Sequence, residues 1–304
     1  MNIRTLKQQD IDRKKWDACI ANAAQSLPYA HTWYLDAVAK NWDGIVYGNY
    51  EAVMPLVWLR KYGVPCMYQP YYCQQLGIFS NQSISIELQT AFMDIAASAF
   101  PYISANLNAS HAPVAASYGL SEKKNLLLGL HKPYTELYQA FATNHKRNIS
   151  KAEKAGLVFA TNTDMPALKQ FYLSSINRQR NAWFNAKAEA LFNGLMDSLL
   201  LHGKANIYTA NLNGDILAAM VLVPQGQRMI SIINASSDAG KAVGASHFVH
   251  AKLIEKYAAT GHIIDFEGSS IPSIARFYQG FGAQPEVFYH WHTNILRRTA
   301  QRFL

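Results

Sequence analysis

The chain has 304 residues, of which half are hydrophobic and 16% are charged, with 28 Lys and Arg against 20 Asp and Glu. This composition supplies enough apolar material for two folded domains or one large one, and it excludes a disordered protein. The three Cys residues lack the paired spacing of a zinc site or a disulfide framework.

The chain shows no sign of a targeting or membrane-spanning segment. Its first 16 residues are polar and contain no apolar core of a secretory signal. No stretch approaches the roughly 18 consecutive apolar residues that a membrane span needs. We therefore expect a cytoplasmic protein without a membrane span.

Positive charge is concentrated in the second half. Residues 1–140 carry 11 basic against 10 acidic side chains, whereas residues 141–304 carry 17 against 10. Such an excess would attract a phosphorylated cofactor, an aminoacyl-tRNA or another anionic surface. A generally basic surface without a specific ligand accounts for the charge equally well.

The first 140 residues begin with helical patterns and continue with extended ones. Asp12 is placed to cap a helix through Ile20, and Gly48-Asn49 divides two apolar runs as a hairpin turn does. The spacing predicts helices over 12–20, 31–38 and 84–99, and extended segments over 44–48, 50–58, 64–72 and 102–107.

The charge balance of the chain changes after residue 140. A short helix over 133–142 leads into a basic helix over 145–156, which Gly156 closes. Because the charge balance shifts here, we place a domain boundary here and predict domains 1–140 and 141–304.

The second domain has the clearer pattern. Asn213-Gly214 is a typical type I′ hairpin turn between two apolar strands. The predicted order after residue 164 is helix, helix, three-stranded meander, loop of small residues over 236–244, helix over 245–259, strand, helix and strand. A meander followed by alternating strands and helices predicts the α/β class, with a mixed sheet flanked by helices.

This order and the segment Ile274-Ala275-Arg276-Phe277-Tyr278-Gln279-Gly280-Phe281 resemble the GNAT superfamily of N-acyltransferases. The segments 145–157 and 265–268 are similar to the FemABX-like group, in which two GNAT-like domains stand in tandem. The resemblance is good over 140–304 and weaker over 1–140. It implies two mixed, mostly antiparallel sheets flanked by helices, a degenerate first domain and an active site in the second.

The resemblance also implies a donor site for acetyl-CoA or another acyl-CoA at the start of the long helix. The residues at that place are Gly240, Lys241, Gly244, Ala245 and Ser246. The unpaired N–H groups of a helix N-terminus favour phosphate there. The four-residue spacing of the two glycines departs from the usual pattern, so the identity of the donor stays open.

Two residues are predicted to be catalytic. A tyrosine at the position of Tyr278 can protonate a leaving thiolate in GNAT enzymes, and Glu267 is placed to act as a base or to hold a substrate ammonium group. The alternative for Tyr278 is a place in the core of an amphipathic helix.

Five further residues are predicted to bind substrate. Asp265 and Glu267 would face the same side of a strand, and Ser269 follows them, unless Asp265 or Ser269 simply caps the next helix. Lys146, Arg147 and Lys151 would grip a phosphate or carboxylate, or else form a solvated helix face. No metal site is predicted.

Three functions remain open at this point. The first is acyl transfer from a CoA-type carrier to a small-molecule or peptide amine. The second is Fem-type transfer from aminoacyl-tRNA to a cell-wall precursor, against which the lack of a long helical arm argues. The third is ligand binding without catalysis, since a fold does not fix a function.

Overall fold

The computed structural model describes residues 2–161, 164–176, 184–267 and 271–294. The α-helices of these residues are α1 (Arg13–Asn22), α2 (Thr32–Val38), α3 (Ile86–Ala99), α4 (Tyr134–Gln139), α5 (Thr143–Lys154), α6 (Met165–Ser175), α7 (Ala186–Leu201), α8 (Asp238–Val243), α9 (Ala245–Tyr257) and α10 (Pro272–Gln279). The strands are β1 (Ile3–Lys7), β2 (Trp42–Tyr47), β3 (Ala52–Lys61), β4 (Val64–Tyr68), β5 (Phe79–Ser80), β6 (Tyr102–Leu107), β7 (Ser121–Gly129), β8 (Val158–Thr161), β9 (Asn206–Leu212), β10 (Asp215–Gln225), β11 (Arg228–Ser236), β12 (Ile263–Asp265) and β13 (Gln284–Asn294).

The chain divides into two compact units. The first comprises Met1–Lys124 together with Val287–Leu304, and the second comprises Asn125–Glu286. These limits differ from the predicted division at residue 140. The difference arises because the chain changes units twice, once within β7 and once within β13, where a continuous strand carries no loop or linker signal.

The sheet of the first unit has the strand order β1-β2-β3-β4-β6-β13, with β5 paired to β3. Neighbouring strands are antiparallel except β4 and β6, which are parallel and are separated in sequence by α3. The last strand, predicted within the second domain, pairs antiparallel with β6 in this unit. Its Tyr289 and Trp291 are buried in the same core as Met54 and Phe92.

The second unit repeats this arrangement, with the order β7-β12-β11-β10-β9-β8. The strands β9, β10 and β11 form the predicted antiparallel meander, and β11 and β12 are parallel on either side of α9 in the sequence. Each unit therefore contains a mixed, mostly antiparallel sheet with a strand–helix–strand crossover. The predicted fold class is confirmed.

Local signals account for several element boundaries. The side chain of Asp12 accepts a hydrogen bond from the backbone N–H of Lys15 and caps α1 as predicted. Asn213 and Gly214 both have positive φ angles, of 51° and 90°, as a type I′ turn requires. The strands β1, β5, β7 and β8 were not predicted, and the predicted loop over 236–244 contains the short helix α8.

The core of the second unit holds the long helix α9 in place. Phe248, Val249, Leu253 and Ile254 are at most 3% exposed and pack in one apolar cluster with the strands of the sheet. Burial of this helix on nearly all sides fixes where its N-terminus and its polar residues lie.

Candidate active site

A cavity of about 220 Å³ lies in the second unit, beside the start of α9. The residues that line it come from β10, β11, α9 and α10: Ala219, Met220, Asn234, Ala235, Ser236, Ser246, Val249, His250, Phe277 and Tyr278. None of these described residues has a charged side chain. The cavity is therefore suited to the neutral part of a ligand, with a few polar groups that can orient it.

The residues predicted to bind the donor have two different environments. A Cβ atom on Gly240 would lie 2.1 Å from the carbonyl oxygen of Leu217, and one on Gly244 would lie 2.6 Å from that of Asn148. Both glycines are thus required by the packing of the protein against itself. Lys241 is exposed and pairs with Asp238 over 2.8 Å on the same short helix. These three residues do not line the cavity.

The N-terminus of α9 does reach the cavity. Gly244 has a φ angle of +81°, which ends α8 and starts α9, and no side chain caps α9. Ala245 is fully buried, whereas Ser246 is half-buried and lines the cavity. The uncapped first turn of α9 carries the positive end of the helix dipole and suits a phosphate or a developing negative charge.

Tyr278 also lines the cavity, although it is only 5% exposed. Its ring stacks on Phe266, with centroids 4.3 Å apart and planes inclined by 7°. Burial, together with the nearby charge of Glu267, raises the pKa of Tyr278 well above its usual value. Tyr278 is therefore a neutral hydroxyl donor, held in position by its ring. Tyr278 was predicted to lie either in the core or in the active site, and it both packs in the core and lines the cavity.

Glu267 lies just beyond the end of β12. The strand stops at Asp265 and Glu267 has a φ angle of +50°, so the two carboxylates do not lie on one strand, as the prediction that they face the same side required. Burial raises the pKa of Glu267 to about 8. Since Glu267 also raises the pKa of Tyr278, the two groups interact, although Glu267 does not line the cavity.

Asp265 is held by hydrogen bonds inside the protein. It is fully buried and accepts hydrogen bonds from the side chain of Asn125 at 2.7 Å and from Nε of Arg228 at 2.8 Å. Arg228 also binds Glu286 at 2.6 Å. The structure thus assigns the predicted substrate ligand Asp265 to a buried ion pair between strands. Ser269, predicted to bind substrate, lies outside the described residues.

The basic residues of α5 do not line the cavity. Nζ of Lys146 donates to the carbonyl oxygen of Gln139 at 2.9 Å, and Arg147 donates to the side chain of Asn144 at 2.8 Å. Lys151 is exposed. Any ligand of these residues would be bound on the outer face of the helix, so their part in substrate binding stays a prediction.

His250 is a site residue that the sequence analysis missed. It is 3% exposed, lines the cavity, and its Nδ1 lies 2.7 Å from the carbonyl oxygen of Ser246. Because a carbonyl only accepts, Nδ1 carries the proton and Nε2 carries a lone pair. Nε2 is buried without a hydrogen-bond partner. A single polar side chain among the buried positions of α9 was the available signal.

The surroundings of His250 keep it uncharged. Burial, with smaller contributions from the nearby His247 and His145, lowers its pKa to about 3 against the opposing effect of the bond to Ser246. His145 has a separate role, since its Nε2 donates to the carbonyl oxygen of Phe277 at 2.7 Å and connects α5 to α10.

The described residues contain no cluster of three or more His, Cys, Asp or Glu that could hold a metal ion. None of their helices combines the length and the apolar character that crossing a membrane requires. The three cysteines are free and buried, as predicted.

Comparison with known proteins identifies the fold. Residues 139–270 match the family model described as an acetyltransferase (GNAT) domain. No curated protein sequence matches the chain. The solved structure of FemX is similar, with a TM-score of 0.70 and 13% identity over 96% of this chain and 98% of that chain.

Two further solved structures cover nearly the whole chain. A tandem GNAT protein from the clavulanic acid biosynthesis pathway has a TM-score of 0.55 and 14% identity, over 95% of this chain and 98% of that chain. The C-terminal domain of a candidate lysylphosphatidylglycerol synthetase from Agrobacterium fabrum has a TM-score of 0.59 and 11% identity, over 95% and 94%. The chain therefore has a tandem GNAT-like fold of the FemABX-like kind, and the resemblance found in the sequence is confirmed.

Proposed function

We propose that the protein is an acyltransferase that moves an acyl group from an activated carrier to an amine, in the cavity between α9 and α10. One observation carries this proposal. The cavity joins Ser246, at the uncapped start of α9, to Tyr278, a buried hydroxyl donor. Acyl transfer needs a site for an anionic carrier next to a proton donor for the leaving group, and these two features supply them.

An acyl-CoA fits this site in part. The uncapped N–H groups of the first turn of α9, including Ser246, would hold a phosphate-bearing or polarised part of the carrier. Gly240 and Gly244 permit the close packing that positions this turn, and Lys241 would need to leave Asp238 to reach a phosphate. When bound, an acyl-CoA would supply the activated carbonyl.

Tyr278 and Glu267 provide the proton transfers. The amine nitrogen loses a proton as its bond to the carbonyl carbon forms, and the leaving atom gains one as its bond breaks. Tyr278 gives its hydroxyl proton to the leaving atom. The pKa of Glu267, about 8, means that its carboxyl is mostly protonated at neutral pH and can return a proton to the Tyr278 oxygen. The proton released by the amine then passes through the Tyr278 hydroxyl to restore Glu267.

This role differs from the predicted one in a single respect. The sequence suggested that Glu267 contacts the amine directly, whereas the cavity is lined by Tyr278 and not by Glu267. Glu267 is therefore proposed to act through Tyr278. Burial keeps the tyrosine neutral, and Glu267 resupplies its proton during turnover.

The decisive experiment combines binding and turnover. The purified protein is heated with and without millimolar acetyl-CoA, and release of free CoA thiol is followed with a panel of primary amines. A carrier at about 100 times its dissociation constant would stabilise the folded state by about 2.7 kcal/mol, a clear rise in melting temperature. Absence of both the thermal shift and the thiol release overturns the proposal for CoA carriers.

A second donor, aminoacyl-tRNA, is favoured by the likeness to FemX over nearly the whole chain and by the basic second half. In that case the exposed side chains of Arg147 and Lys151 would contact phosphate. Binding of tRNA would then weaken steeply with salt, because phosphate contacts release counterions. The double substitution R147Q/K151Q would reduce the salt dependence, and binding that is absent or insensitive to salt would exclude this donor.

A further inference from the structure

We infer that His145 is a positioning residue for Tyr278: its neutral ring holds α10 against α5, and protonation of the ring releases α10. The part that concerns turnover rests on the proposed function, in which Tyr278 is the proton donor. The basis is a hydrogen bond from His145 to the residue that precedes Tyr278, and a second ring nitrogen that is buried without a partner.

Two hydrogen bonds join the start of α5 to the end of α10. Nε2 of His145 donates to the carbonyl oxygen of Phe277 at 2.7 Å, and the backbone N–H of Ala142 donates to that of Gly280 at 2.8 Å. The ring also lies directly on Gly280, where a Cβ atom would be 2.2 Å from Cε1 of His145. We call this set of interactions the α5–α10 contact.

The carbonyl of Phe277 depends on His145 for its donor. In a continuing helix the backbone N–H of Phe281 would bind this carbonyl, but that N–H donates to the carbonyl oxygen of Tyr278 at 3.0 Å. His145 thus supplies from α5 the donor that the end of α10 lacks. Because Phe277 and Tyr278 are consecutive, a bond that fixes the backbone of Phe277 also fixes the direction of the Tyr278 side chain.

Only the neutral ring of His145 fits this place. Since a carbonyl accepts, Nε2 carries the proton and Nδ1 carries a lone pair. The residue is 6% exposed, and Nδ1 is buried without a hydrogen-bond partner. A protonated ring would have a second N–H at Nδ1, where no described group accepts it.

The rings around His145 do not stabilise a positive charge. α9 contributes His247, whose ring centroid lies 4.7 Å from that of His145 and whose own pKa is lowered to about 4. α10 and the turn after it contribute the uncharged rings of Phe277 and Phe281, at 5.4 and 4.5 Å. Burial lowers the pKa of His145, against the opposing effect of the bond to Phe277.

The carboxylates of the surrounding helices have other partners. None of those that the structure describes forms an ion pair with His145. Glu153, two turns further along α5, and Glu255 both bind Lys252 of α9, at 3.7 and 2.9 Å, and Asp238 of α8 binds Lys241. The remaining charged side chains of α5, α9 and α10 are cations: Lys146, Arg147, Lys151, Lys154, Lys256 and Arg276.

The α5–α10 contact therefore weakens as the pH falls. A released ring has the ordinary histidine pKa of about 6.5, whereas the ring in place has a lower one. The released state binds the proton more tightly, so the contact is fully stable above pH 6.5 and is lost progressively below it. His247 and His250, whose pKa values are lowered to about 4 and about 3, shift the equilibrium in the same direction.

Hydrogen exchange of the backbone amides tests the contact without any substrate. The full chain is compared at pH 7.5 and pH 5.5 after correction for intrinsic exchange rates, with α7 as the internal reference. For one ring that returns to a pKa of about 6.5, the released population should rise by up to about tenfold at the lower pH. We expect this rise in α10 and not in α7. An equal rise in both helices would show general unfolding and would overturn the inference.

Two substitutions separate the charge of His145 from its hydrogen bond. H145Q keeps an N–H near the position of Nε2 and does not titrate, so its α10 should lose less protection at pH 5.5 than α10 of the native chain. H145F keeps a ring without a donor, so its α10 should already exchange faster at pH 7.5.

H202Q is the matched control. His202 is exposed at the end of α7, and its Nδ1 also lies 2.8 Å from a backbone carbonyl oxygen, that of Ser198. This variant should follow the native chain at both pH values. The same loss of protection in H145Q as in the native chain would contradict the role assigned to His145.

Turnover separates this inference from the proposed function. With acetyl-CoA and a saturating amine, kcat of the native chain should fall below pH 6.5 more steeply than kcat of H145Q, each relative to its own value at pH 7.5. The amine is equally protonated in both reactions, so the ratio isolates His145. Equal declines would overturn the inference while the acyltransferase proposal stands. The expected exchange pattern of α10 without any acyl transfer would overturn the proposed function and leave the pH-dependent α5–α10 contact.

Discussion

The ring of Tyr278 lies flat on the ring of Phe266, with centroids 4.3 Å apart. This stack connects α10 to the chain just beyond β12 and fixes the direction of a hydroxyl whose pKa is raised by burial. The same side chain therefore stabilises the core and carries the proposed proton. Its two roles can be separated by substitutions that remove only one of them.

The substitution Y278F keeps the stack and removes the hydroxyl. We expect a loss of turnover of about 10²-fold or more with little change in melting temperature, because general acid catalysis contributes about 10²–10⁴-fold. Steady-state rates and thermal unfolding measure the two effects. Y289F, a change at a tyrosine in the core of the first unit, is the control and should keep full activity. Equal activity of both variants would remove Tyr278 from the mechanism.

The carboxyl of the half-buried Glu267 should make stability depend on pH. Its pKa is about 8 in the folded protein, against a reference value of 4.5. The folded state holds this proton more tightly than the unfolded state, so its contribution to stability is full below pH 4.5 and is lost as the pH rises to 8. Raising the pH from 5.5 to 9 should therefore destabilise the native chain relative to E267Q, by about 2–4 kcal/mol.

Urea unfolding midpoints of the native chain and E267Q at pH 5.5 and pH 9 measure this difference in stability. E122Q, at an exposed carboxyl on β7, is the control and should follow the native chain at every pH. In kinetics, a decline of kcat above pH 8 in the native chain should be absent in E267Q. A stability difference that stays constant with pH would show that the folded state does not raise the pKa of Glu267.

The ion pair of Arg228 and Asp265 should be essential for folding. R228M leaves Asp265, which has no solvent exposure, as an unpaired buried carboxylate. Breaking such a pair from one side costs about 3–5 kcal/mol. K241M removes an exposed pair with Asp238 and should change the unfolding midpoint little. Comparable small losses in both variants would contradict the structural role assigned to Asp265.

Gly244 should not tolerate a side chain. G244A combines a positive φ angle of 81° with a Cβ atom 2.6 Å from the carbonyl oxygen of Asn148. G214A has a similar φ angle of 90° but open space around its Cβ atom, so it isolates the backbone strain of about 1–2 kcal/mol. We expect G244A to destabilise the protein more than G214A in urea unfolding. Equal effects would mean that α8 and α9 can shift away from α5.

Local sequence was sufficient for much of the fold. The cap at Asp12, the turn at Asn213-Gly214 and the order of elements after residue 164 were predicted, because capping, turn formation and apolar periodicity depend on neighbouring residues. The segment 274–281 placed Tyr278 on a short helix and indicated the family. These features determine which elements form and which family they resemble.

Only the tertiary structure determined which side chains meet. Asp265 pairs with Arg228, 37 residues away, and β13 joins β6, more than 180 residues earlier in the chain. The orphaned Nε2 of His250 exists because α9 is buried on nearly all sides, which no local pattern around a single histidine reveals. Burial and charge partners depend on packing between distant segments, so the sequence alone could name the candidate residues but could not assign their roles.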